Sequence, residues 1–112
     1  MADCLFCRIC SGEARADRLH DDDHAVAIRD INPAAPMHAL VLPRKHIATL
    51  RDLSAADDTL VGHLHLVAAT VARAAGYDDF RVVVNCGAGA GQSVFHLHLH
   101  VLAGRALAWP PG

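Results

Sequence analysis

The sequence predicts an α+β fold with a largely antiparallel sheet, on three observations. Strand-like runs fall at 24–29, 37–42, 81–85 and 93–102, one long amphipathic run extends from Ser54 to about residue 75, and a short apolar run occupies 3–10. The chain has 112 residues, the length of one domain (1–112), and a chain this size buries roughly 65% of its unfolded surface. Apolar residues make up 53% but aromatics only 4%, so the core is modest. A metal or a second subunit would strengthen it.

Each element has its own warrant. Residues 3–10 read as a short helix that leaves at Ser11-Gly12, where glycine suits a helix exit. Asp21-Asp22-Asp23 reads as a solvated turn. His24–Arg29 sets Val26 and Ile28 between shorter or polar neighbours, as a strand does, before Asn32-Pro33 and Pro36 impose a loop. Met37–Leu42 is a second strand, stopped by Pro43. The main helix starts at Ser54, a capping residue with Asp57 and Asp58 at the positive end of the helix dipole. Leu60, Leu64, Val67 and Val71 recur at helical spacing, and Gly76 ends the run. Arg81–Asn85 is dense in β-branched residues, and a glycine-punctuated loop (87–91) leads to the last strand.

Composition also excludes. Net charge is −2 and no Lys/Arg run is present, which argues against a nucleic-acid partner. The longest apolar stretch, 61–75, is broken by His63, His65 and Arg73, so no membrane segment is expected. Asp3 and Arg8 interrupt any signal-peptide core, and with four cysteines the expectation is a cytoplasmic protein whose thiols are reduced or ligate metal.

The unusual residue is histidine, nine in all, three of them at His96, His98 and His100. On a strand 93–102 these three share one face, roughly 6.5–7 Å apart, while Phe95, Leu97, Leu99 and Val101 take the other. That suits an extended substrate, or one metal held by two of the three. The preceding glycine loop lacks both the dinucleotide and the Walker spacing, but its amides and the Ser93 hydroxyl can approach an anion. Cys4-Leu5-Phe6-Cys7 alone serves zinc, redox chemistry or chance alike. No strand precedes it, as a redox motif would want.

Gly91-Gln92-Ser93-Val94-Phe95-His96-Leu97-His98-Leu99-His100-Val101-Leu102 resembles the signature of the histidine triad (HIT) superfamily. Asp30 to His38, Val41 to Ile47 and the Gly104 to Gly112 ending, with Trp109-Pro110-Pro111, extend the resemblance across almost the whole chain and toward the Hint branch. The resemblance implies a five-stranded sheet that continues as ten strands across a homodimer. It also implies hydrolysis of purine nucleoside phosphoramidates through a nucleotidyl-histidine. By matching position, His98 is the nucleophile, with His100, His38 and Ser93 around the phosphate and Asn85, Gly91 and Gln92 completing its cradle. Asp30 would take the ribose hydroxyls, and Leu5, Phe6, Ile9, Ile28, Ile31 and Leu40 the base. Trp109 would reach the partner's site and shape leaving-group preference. Relatives with the cysteine pair bind structural zinc, here through Cys4, Cys7, His46 and His96. Cys10 and Cys86 are expected in the packing, and His20, His24, His63 and His65 at or near the surface.

Other classes remain distinguishable. A sister branch hydrolyses dinucleoside polyphosphates, a binding module would hold nucleotide with little turnover, and a metallohydrolase using His96 and His98 would lose activity to a chelator.

Overall fold

The computed structural model describes residues 3–112. Helix α1 (Leu5–Ser11) is followed by strands β1 (Arg18–Asp21), β2 (Ala25–Arg29) and β3 (Met37–Pro43), helix α2 (Asp58–Ala74), and strands β4 (Arg81–Val83) and β5 (Leu99–Ala103). The five strands form one antiparallel sheet in the order β1-β2-β3-β5-β4. The expected fold class holds.

Alternation along the central strands divides the core. Ala25, Ala27, Ala39 and Val41 join Leu99, Val101 and Ala103 under α2, against Leu64, Val67, Ala68, Val71 and Ala72. Val26, Ile28, Leu40 and Leu42 face the other way and meet Phe6, Ile9 and Cys10 of α1. His38 and His100 belong to this second face, because Leu40 pairs with His100 and His38 with Leu102. The site therefore lies on the side of the sheet covered by α1.

Seven residues make α1 too short to be stable alone. Gly12 closes it at φ 86°, while Arg18 donates to the Ile9 carbonyl and Arg44 to that of Cys10. Asp21 accepts from both guanidinium groups, so one carboxylate ties the helix exit to the sheet. At α2 the start differs in detail from expectation. Ser54 and Asp57 bracket a 3-10 turn at 55–57, with the Ser54 N–H donating to Asp57 at 3.0 Å, and the α-helix proper begins at Asp58. Lys45 also donates to Asp57, and together these donors hold its carboxyl below the usual range. No helix among the described residues is long and apolar enough to cross a membrane.

Three sequence expectations need correction. Strand β1 was not anticipated, and Asp21-Asp22-Asp23 is more than a solvated turn. Asp22 Oδ1 accepts the amides of His24 and Ala25, and Oδ2 accepts from His20 and His63, each at 2.7 Å. These four donors hold the Asp22 carboxyl far below its ordinary range against the opposing effect of burial. Strand β4, expected over Arg81–Asn85, ends at Val83. The last strand begins only at Leu99, so 93–98 is irregular and Phe95 is exposed. The Leu97 amide donates to the Ile47 carbonyl and His96 Nε2 to that of Pro43, which draws this stretch out of the ladder.

Candidate active site

The departure from a regular strand separates the three histidines. His96 turns into the fully buried space behind α1, whereas His98 and His100 line an open cleft of about 750 Å³. Their rings lie 5.0 Å apart, closer than on a flat strand face. Leu5, Phe6, Ile9, Ile28, Asp30, Ile31, Leu40 and Ser93 line the same cleft, so all seven nucleoside residues expected from the sequence converge there. Ile31 is 92% exposed and sits at the rim. Arg15, Ala16, Asp17 and Arg29 also line it. The sequence did not flag these residues, since three of them lead into the unanticipated strand β1.

Hydrogen bonds fix the imidazole tautomers. A carbonyl can only accept, so His98 Nδ1–H donates to the His96 carbonyl at 2.7 Å and the Nε2 lone pair is left free. The Ala34 N–H donates to His38 Nδ1 at 2.9 Å, which puts the His38 proton on Nε2. That proton is shared with His100 Nδ1 at 2.9 Å, and Asp30 Oδ2 lies 3.3 Å from the same nitrogen. His100, accepting at Nδ1, carries its own proton on Nε2. Burial pushes His100 down to about 4, with His98 and His38 adding to the effect, so it is neutral near pH 7. Burial lowers His38 too, against the pull of Asp30.

Asp30, His38 and His100 present three donor atoms close enough for one cation. The tautomer argues against it: a metal on His38 Nε2 would require a proton on Nδ1, facing the Ala34 N–H.

The glycine loop makes hydrogen bonds of its own. The amides of Ala90 and Gln92 donate to the Gly87 carbonyl, and that of Gly91 to Ala88. The buried Gln92 side chain accepts from the Gly87 N–H and donates to the carbonyls of Ala48 and Val94. Gly91 and Gln92 are thus engaged within the loop. Asn85 lies beside Gly91, outside the cleft lining, and Trp109 is 83% exposed.

Behind the cleft, Cys4, Cys7, His46 and His96 bring four donor atoms together. His96 Nδ1 is 3.3 Å from Cys4 Sγ, 3.5 Å from Cys7 Sγ and 3.2 Å from His46 Nδ1, and Cys7 Sγ is 3.3 Å from His46 Nδ1. Ligands on one tetrahedral zinc stand roughly 3.3–3.8 Å apart. Because His96 Nε2–H donates to Pro43 at 2.8 Å, its Nδ1 lone pair points into this group. Burial and the neighbouring Cys4 push the Cys7 thiol up to about 11, so a thiolate there calls for a cation. The donor set fits zinc. Cys10 is not part of it: its thiol lies 3.9 Å from the Pro43 carbonyl. Phe6, between the two cysteines in sequence, stands edge-on to both His96 (6.0 Å) and His98 (5.1 Å).

Residues 3–107 match the family model described as scavenger mRNA decapping enzyme C-term binding. An uncharacterized HIT-like protein of Synechocystis is 46% identical over 98% of this chain and 97% of its own length. One from Synechococcus elongatus is 44% identical with the same coverage. Among solved structures, a HIT family hydrolase from Legionella pneumophila superposes with a TM-score of 0.96 at 44% identity, covering 98% of this chain and 100% of that one. A zinc-bound histidine triad family protein from Mycobacterium smegmatis superposes at 0.80 with 35% identity, over 93% of this chain and 76% of that one. With matches of this extent in sequence and in structure, the chain belongs to the histidine triad superfamily.

Proposed function

We propose that this chain is a phosphoramidase of the Hint type, hydrolysing purine nucleoside 5′-phosphoramidates by way of a nucleotidyl-histidine at His98. The observation that carries the reading is the His98 tautomer: Nδ1–H is held by the His96 carbonyl at 2.7 Å, which leaves Nε2 as a nucleophile in a ring that lines the cleft. Nε2 attacks phosphorus, the P–N bond to the leaving amine breaks, and the amine takes a proton. His100 Nε2–H and the Ser93 hydroxyl are the donors at hand. Water then attacks the phosphorus of the nucleotidyl-histidine, releasing the nucleoside monophosphate and restoring the free imidazole.

Asp30 binds the ribose hydroxyls. Its Oδ1 already accepts the Asn32 N–H at 2.8 Å, which orients the carboxylate and leaves lone pairs for the sugar. Phe6, Ile9, Ile28 and Leu40 form an apolar slot for the base. Cys4, Cys7, His46 and His96 hold a structural zinc, whose contribution is to fix α1 and His96 in place. In solution the chain is a homodimer through the edge strand β4 and the exposed face of α2, where Leu66 is 68% exposed. Its sheet then runs on to ten strands, with Trp109 near the partner's cleft.

The test is release of AMP from an adenosine 5′-phosphoramidate bearing a fluorescent amine. Turnover that falls by about a thousandfold or more in His98→Ala and persists in chelator supports the reading. Binding without turnover favours a nucleotide-binding module, and faster cleavage of a dinucleoside polyphosphate favours the sister branch. Activity that survives His98→Ala but not chelator transfers the chemistry to a metal.

A further inference from the structure

Arg105 stands outside the cleft lining, yet it touches the segment that sets the catalytic tautomers. Strand β5 ends at Ala103, and Gly104 turns the chain at φ +98°. That turn presses so closely on Pro36 that a Cβ at Gly104 would lie 2.9 Å from Pro36 Cβ and 3.0 Å from the Tyr77 hydroxyl. The turn sends the Arg105 side chain back over the 31–36 loop, where Nε–H donates to the Ala34 carbonyl at 2.8 Å. The N–H of the same residue donates to His38 Nδ1 at 2.9 Å, and His38 Nε2–H then donates to His100 Nδ1 at 2.9 Å. Four groups are linked in series, from an exposed guanidinium to an imidazole in the cleft.

We infer that Arg105 is a positioning residue for the reaction: by pinning Ala34 it fixes the tautomer of His38, and through His38 that of His100. This rests on the role given above to the His100 proton. The logic is one of concerted neutral rings. With Ala34 held in place, both rings carry their protons on Nε2 and His100 presents a donor to the cleft. If Ala34 moves away, Asp30 Oδ2, 3.3 Å from Nε2, is the contact that still favours a proton there, and a fraction of His38 carries its proton on Nδ1 instead. Its Nε2 then becomes an acceptor, His100 answers by protonating Nδ1, and the cleft loses its donor. The contact also ties chemistry to the C-terminal segment. Arg105 opens that segment, and Arg81 of β4 holds it further on by donating to the carbonyls of Leu107 and Ala108.

The experiment is nitrogen-15 NMR of the histidine rings in wild type, Arg105→Ala, Arg105→Gln and Arg105→Lys. Thermal unfolding serves as the check that each variant is folded. Wild type should show His38 and His100 protonated at Nε2 alone. Arg105→Ala and Arg105→Gln should show mixed tautomers at both rings, and Arg105→Lys, which retains a donor of similar reach, should restore them in part. A wrong histidine tautomer at full strength costs about 10⁴-fold in the unrelated Ser-His-Asp proteases. An exposed anchor acting through one backbone contact should lower turnover by about tenfold, with KM changed by no more than about twofold. Unchanged ring signals in folded Arg105→Ala overturn the inference whatever the activity. A wild type inert toward phosphoramidates overturns the proposed reaction and leaves the tautomer result to decide on Arg105.

Discussion

Replacing Gly104 by alanine adds one methyl group at a place with no room for it. Two costs separate cleanly. The first is conformational: φ is +98°, and holding an L-residue in the left-handed region costs about 1–2 kcal/mol. The second is steric. The new Cβ would stand 2.9 Å from Pro36 Cβ, 3.0 Å from the Tyr77 hydroxyl and 3.1 Å from Pro36 Cγ. The tyrosine can swing away, but the proline ring is rigid and belongs to the loop above His38, so relief requires the backbone to shift, at about 1–3 kcal/mol. The sum is about 2–5 kcal/mol. Gly12 and Gly76 supply the controls, with φ of +86° and +92° and nothing within 4 Å of a Cβ, so alanine there incurs the conformational cost alone. Urea denaturation of the three variants at constant m-value reads the difference. A Gly104→Ala variant no less stable than Gly12→Ala and Gly76→Ala would refute the reasoning.

Two further outcomes follow from the site. Burial lowers His38 and brings His100 to about 4 against a reference of 6.5, so below pH 6.5 the unfolded chain binds protons that the folded one refuses. Stability should therefore fall on acidification from pH 6.5 toward 4, on the order of 1–3 kcal/mol. The lowered Asp22 and Asp57 stay ionised over this window and do not offset the loss. Urea midpoints at pH 7 and pH 5 check the sign, and a higher midpoint at pH 5 counts against it. Cys7→Ser removes one of the four clustered donors. Wild type purified with zinc should carry it stoichiometrically and lose thermal stability in chelator, whereas the variant should carry little and be indifferent to chelator.

The sequence carried the packed elements well and the contingent ones poorly. Strands β2 and β3 were legible as short apolar runs bounded by turn residues, buried on both faces, and helix α2 because its apolar period matches its burial. Strand β1, Arg-Leu-His-Asp, has no such period: it is an edge strand whose polar side chains are held by Asp21 of the strand itself, by Asp22 just beyond it and by Arg44 from the far end of β3. The alternation from Phe95 to His100 is regular and still misleading, since Pro43 and Ile47 outbid the neighbouring strand for His96 and Leu97. Local period cannot reveal a partner fifty residues away. For the same reason the cysteine pair announced a donor site, but only the resemblance named His46 and His96. The engagement of Gln92 inside its own loop, and the contact of Arg105 with Ala34, left no trace in the pattern of residues.

Helix α1 is anchored from both ends by unlike means. At its start are the clustered donors of Cys4 and Cys7; at its finish two guanidinium groups hold the Ile9 and Cys10 carbonyls. Between them lie Leu5, Phe6 and Ile9, one wall of the cleft. On the function proposed above, a cation seated at the first anchor and a nucleoside seated against the wall would bear on the same seven residues. Whichever arrived first would then carry the ordering entropy for the other, and thermodynamic linkage would make the favour mutual: the factor by which the ion tightened the nucleotide would be the factor by which the nucleotide tightened the ion.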